Sequence, residues 1–207
     1  MSTNIVQPED QNKGKNDRSP AYPFISLKTA IDRAKELYKE EKRTPAPVSV
    51  VVKHWGYKEK SSGGIQTVAA LKYYGLLTDT GSGDGRKVQL SDAGLKIVMD
   101  ERTVSPERDN LIKQAALKPK IYAKLWEMWG STMPSEENVN YYLRVELKFA
   151  DNVVPNFIRG YKDTISFAKL TESDKVLGED GKDEDPYIPP TAKTFMLNGL
   201  RLELRLP

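Results

Sequence analysis

The chain has 207 residues, no cysteine, one histidine and a formal net charge of +3. Disulfides are therefore excluded, and any zinc site would need carboxylates gathered around His54 alone, which argues against metalloenzyme chemistry and against a cofactor. A polar first twenty residues without a signal-peptide pattern, and no apolar run near the ~20 residues of a membrane span, lead to the expectation of a soluble, cytoplasmic protein with no membrane partner.

Residues 1–18 show no apolar period and are expected to be a disordered tail. A helix should start at Ser26, whose hydroxyl can cap it, with Leu27, Ala30, Ile31, Ala34, Leu37 and Tyr38 on one face and an end near Arg43, before Pro45 and Pro47. The run VSVVVKHW is rich in β-branched residues, as a strand would be, yet Pro47 before it and Gly56 after it suit a short helix better. A third helix follows the polar turn YKEKSSGG, with Ile65, Val68, Ala69 and Leu71 at helical spacing until Gly75 stops it. Leu76, Leu77 and Thr78 then lead into a tip containing Gly81, Gly83 and Gly85, and Lys87 to Leu90 return as a strand, so this segment reads as a β-hairpin. Ser91 caps a short helix carrying Leu95, Ile97 and Val98.

The order helix, helix, helix, hairpin, carried by "LKYYGLL" and "GRKVQLSDAG", resembles the winged helix-turn-helix superfamily. More narrowly, "SPAYP" at 19–23 and "KHWGY" at 53–57 resemble an uncharacterised prokaryotic winged-helix family, over residues 19 to 170. The resemblance implies a DNA-binding protein whose third helix enters the major groove while the hairpin meets the backbone or the minor groove. At 100° per residue, Ser62, Gly63, Gln66, Thr67, Ala70 and Tyr73 fall on the side of that helix away from Ile65, Val68, Ala69 and Leu71. Gln66 would read adenine, and Thr67 a thymine methyl or a phosphate. Lys58, Lys60, Arg86 and Lys87 would meet phosphates, and Lys72 points toward the apolar side. Residues 18–100 carry 14 basic against 9 acidic side chains, an excess that suits a polyanion only weakly and equally suits a solvated surface. The glycines of the tip lack the Lys-Ser or Lys-Thr of a phosphate-binding loop, and His54 reads as a packing residue at a helix end.

Residues 101–170 form a second helical unit of four helices, opened by Ser105-Pro106, Pro119, Ser135 and Pro155. Its last two helices could make a second helix-turn-helix with Arg159 and Lys162 outward, or simply pack or dimerise. The acidic stretch 171–190 reads as a linker. In 191–207, Asn198-Gly199 is a hairpin turn, and Leu200, Leu202, Leu204 and Leu206 give one strand an apolar face that a second copy of the chain could cover in a homodimer. The expected fold class is thus mainly α with small β-hairpins (α+β): a winged helix-turn-helix over 19–100, a four-helix unit and a C-terminal hairpin. The expected function is binding of double-stranded DNA in transcription regulation or a related DNA transaction, at the nucleoid if the source is prokaryotic. The alternative is a protein-interaction module on the same scaffold. No nucleophile, base and acid are spaced for catalysis, so an enzyme is not expected.

Overall fold

In a computed structural model of the protein, which describes residues 19–178 and the backbone of 194–197 and 200–203, the first helix begins where the cap is. Helix α1 (Leu27–Glu41) has the Ser26 hydroxyl accepting from the Thr29 amide, and it buries Leu27, Ala30, Ile31, Ala34 and Leu37. The valine-rich run is helical, as α2 (Val48–His54). Helix α3 (Ser62–Tyr73) ends at Gly75, whose φ of 70° is the left-handed conformation that closes many helices. Strands β2 (Leu77–Thr80) and β3 (Lys87–Leu90) pair antiparallel, Leu77 opposite Leu90 and Thr80 opposite Lys87, with a 3-10 turn over Gly83–Gly85 at the tip. Ser91 caps α4 (Asp92–Met99) by accepting from the Gly94 amide.

One strand was not legible in the sequence. Ala46 and Pro47 form β1, which pairs with β3 at Val88 and Lys87, so the sheet has three strands in the order β1-β3-β2. The Val48 amide donates to Arg86 O at 3.1 Å and continues this edge into α2. Two residues give no alternation to read, and the pairing is made by backbone groups far apart in sequence.

From Pro106 to Ala168 the elements are helical: α5 (Pro106–Leu117), α6 (Lys120–Trp129), α7 (Glu136–Tyr141) running into a π-helical turn (Tyr142–Glu146), and α8 (Val154–Ala168). The described residues are thus mainly helical with a small antiparallel sheet, an α+β arrangement. The boundary near residue 100 does not interrupt the core, because one buried cluster runs from Leu27 to Leu170. Helix α1 packs on α3 and α4 on one side and on α8 on another. A polar junction pins this contact: the Leu27 amide donates to Thr164 Oγ1 at 3.1 Å, and the Tyr74 hydroxyl donates to Ile25 O at 2.9 Å and lies 3.2 Å from Thr164 Oγ1. Beside it, Tyr122 meets Tyr161 and Phe157 edge to face, with ring centroids 5.2 and 5.8 Å apart.

The acidic stretch departs from a linker over its first residues. Residues Glu172–Gly178 form a 3-10 turn against α5 and α6. Asp174 is buried and accepts from Lys113 Nζ at 2.9 Å and from the Thr171 amide at 2.7 Å, while Glu172 accepts from the Ser131 amide at 2.7 Å. Residues 179–190 lie outside the described residues, as does the N-terminal tail. Strands β4 (Thr194–Leu197) and β5 (Leu200–Glu203) pair antiparallel, Leu197 opposite Leu200, and the expected Asn198-Gly199 turn lies outside the described residues. The side chains of the expected leucine face are not among those described.

Candidate nucleic-acid interface

The interface expected from the sequence rests on how α2 and α3 meet. The Ser61 amide donates to Lys58 O at 3.0 Å and closes the turn between them, and the Ser61 hydroxyl accepts from the Gly64 amide at 3.2 Å and starts α3. Gly64 is where the two helices touch: a Cβ there would stand 2.9 Å from Val52 Cγ1. Tyr57, at the start of the same turn, shares a hydrogen bond through its hydroxyl with Thr67 Oγ1 at 3.3 Å.

That hydrogen bond corrects the expected orientation of α3. Thr67 is 1% exposed and Ala70 is fully buried, whereas Ile65 is 42% exposed. Thr67 Oγ1 also donates to Gly63 O at 2.8 Å, so its hydroxyl is satisfied inside the fold and cannot reach a duplex. Ala69 is only half-buried, and the solvent-facing side consists of Ser62, Ile65, Gln66 and Tyr73. Relative to the expectation, Thr67 and Ala70 leave the outer face and Ile65 joins it. The sequence pattern erred because it centred the inner face on Ile65, Val68, Ala69 and Leu71, whereas the buried arc is centred on Gly64, Thr67, Val68 and Leu71. A threonine that bonds back to the preceding turn behaves as a core residue.

The cations divide into two groups. Lys58 and Lys60, in the turn, and Lys87, at the start of β3, are exposed and have no ion-pair or hydrogen-bond partner among the described residues. Arg86 is different. Its Nε donates to Asp79 Oδ2 at 2.9 Å, and the Lys72 ammonium reaches the same oxygen at 2.6 Å. Lys72 therefore ties the end of α3 to β2 instead of lying along apolar surface. These contacts, the Lys72 hydrogen bond foremost, hold the Asp79 carboxyl below the usual carboxylate range. The carboxylate neutralises part of the hairpin's positive charge, yet it takes only Nε of Arg86 and leaves both Nη groups unpartnered among the described residues. The sequence reading missed Asp79, since seven residues separate it from each cation and no helix or strand spacing rule links them.

His54 Nε2 lies 2.7 Å from Glu41 Oε1 and so joins α2 to the end of α1. Among the described residues no cluster of three or more His, Asp or Glu side chains could hold a metal ion, and no helix is long and apolar enough to cross a membrane. Comparison with protein-family models, with curated proteins and with solved structures finds no match to this chain.

Proposed function

We propose that residues 19–100 are a winged helix-turn-helix that binds double-stranded DNA, with α3 in the major groove and the β2–β3 hairpin as its wing. The observation that carries the reading is the uncovered face of α3: Ser62 and Gln66 stand exposed beside the unpaired Lys58 and Lys60, on a helix held by the element order α1-β1-α2-α3-β2-β3. Gln66 has the donor and acceptor pair that matches adenine, Ile65 offers an apolar contact for a thymine methyl, and Ser62 and Tyr73 can donate to phosphates. Lys58, Lys60 and Lys87 supply the sequence-independent attraction, and Arg86 is presented to the backbone by Asp79.

Binding to mixed-sequence duplexes across a salt series tests this. Changing Lys58, Lys60 and Lys87 together to Ala is expected to flatten the log-log salt dependence by roughly 0.9 for each phosphate that is no longer neutralised. Gln66→Ala should instead alter preference among sequences with little change in slope. An unchanged slope in the triple variant would remove these lysines from the interface.

A second reading, a protein-docking module, is favoured by one observation: Ile65 and Tyr73 place exposed apolar surface on the same face, 42% and 39% accessible, where the neighbouring Lys72 is neutralised. A protein that binds no duplex even at low salt would favour it.

A further inference from the structure

A cleft of about 840 Å³ opens between α1, α4, α5 and α8 and uses none of the residues assigned to DNA. Its size falls in the range of small-molecule sites. Ile31 and Ile97 extend the core into it, and Ile112 and Phe167 complete an apolar floor. Three carboxylates also line it, and each has a cation within reach: Asp174 has Lys113, Asp109 has Arg108 at 3.9 Å, and Asp100 shares Arg102 with Glu107. Lys35 of α1 and Lys169 after α8 line the same cleft, both exposed and without an ion-pair or hydrogen-bond partner among the described residues. The combination is an apolar floor under a rim whose cations, Lys35, Arg108, Lys113 and Lys169, outnumber its carboxylates, Asp100, Asp109 and Asp174.

Two further observations bear on the rim. Lys169 has φ 51° and ψ 44°, the left-handed position past a helix end that glycine usually takes. A lysine there keeps a side chain at a backbone cost, as Lys42 and Lys148 also do, and its charge suits the negative end of α8. At Lys35 the cleft borders a groove of about 770 Å³ lined by Lys39, Lys42 and Arg108 as well as by Asp100 and Glu101, so cations outnumber carboxylates at that end too.

We infer that this cleft binds an amphipathic organic anion, its apolar body over Ile31, Ile97, Ile112 and Phe167 and its anionic group at Lys35 and Lys169. Neither group alone would suffice: an inorganic anion leaves the floor bare, and a neutral apolar compound leaves the lysines unpaired.

Fluorescence titration of the full chain with anilinonaphthalene sulfonate and with its uncharged counterpart N-phenylnaphthylamine tests the inference. Saturable binding of the sulfonate is expected, weaker by about tenfold for the neutral compound, the scale of a charge-assisted hydrogen bond. The variant combining Lys35→Gln with Lys169→Gly should bind the sulfonate about tenfold more weakly. Its glycine suits the left-handed position, so weakened binding would not reflect a failure to fold, and thermal unfolding checks this. Lys58→Gln with Lys60→Gln should leave dye binding unchanged whatever it does to DNA, which keeps the two assignments separate. Non-saturable binding, equal affinity for the neutral dye, or wild-type affinity in the cleft variant would each overturn the inference.

Discussion

Two buried residues show how differently a single polar or missing atom can weigh. The Tyr161 hydroxyl is buried with no hydrogen-bond partner among the described residues, and desolvation raises its pKa. Leaving a buried donor unmade costs about 1–3 kcal/mol, so Tyr161→Phe is expected to leave stability unchanged or to raise it within that range, as read by urea denaturation. A variant that lost more than 1 kcal/mol (~0.5–1.5 is typical of a net hydrogen bond) would reveal a partner such as a bound water. Gly64 gives the opposite expectation. Alanine gains helix propensity of about 1 kcal/mol, but its Cβ would meet Val52 Cγ1 at 2.9 Å, and Val52 is itself fully buried. Overpacking costs about 1–3 kcal/mol, so Gly64→Ala should destabilise, while Gly63→Ala, whose Cβ faces only the edge of Tyr57 at 3.3 Å, should be near neutral. Equal effects at the two positions would show that α2 and α3 do not meet at Gly64.

At the scale of elements, what could be read in advance was what is local. Ser26, Ser91, Ser105 and Ser135 each accept from an amide three residues on, and that capping geometry is set by a few consecutive dihedrals. Gly75 and the glycine-rich tip ended α3 and turned the hairpin for the same reason. What escaped was set by tertiary partners. The rotation of α3 follows from Tyr57 and Gly63 satisfying Thr67, which no periodicity contains. Strand β1 exists because β3 offers it backbone groups, and Arg86 is paired because Asp79 lies within reach across a fold. The candidate interface was therefore legible as a helix face with flanking lysines, and its composition was wrong at Thr67, Ala70 and Ile65.

For the whole molecule, residues 171–175 act as a clasp on α5 and α6, not as the start of a tether. Burial pushes the Asp174 carboxyl up, but the hydrogen bonds from Lys113 and Thr171 outweigh it and hold it below the usual carboxylate range. A carboxyl lowered on folding adds stability that is fully present above its unfolded value of about 3.9 and is lost as pH falls through the lower, folded value. Asp174→Ala should therefore cost about 1.5–3 kcal/mol near neutral pH, the scale of hydrogen bonds to a charged group. The cost should shrink below about pH 4, measured by denaturation across an acid series. A cost independent of pH would mean that Asp174 acts by shape alone. The junction of Leu27 with Thr164 has a consequence in time. Its two partners are 137 residues apart, so one side of α1 has nothing to pack on until α8 has been synthesised. The first hundred residues leave the ribosome with that side bare, and closing so long a loop places the join among the late, slow events of folding. During that interval Leu27 and its neighbours on that side of α1 lack their apolar cover, the kind of exposure that makes partly folded chains prone to aggregate.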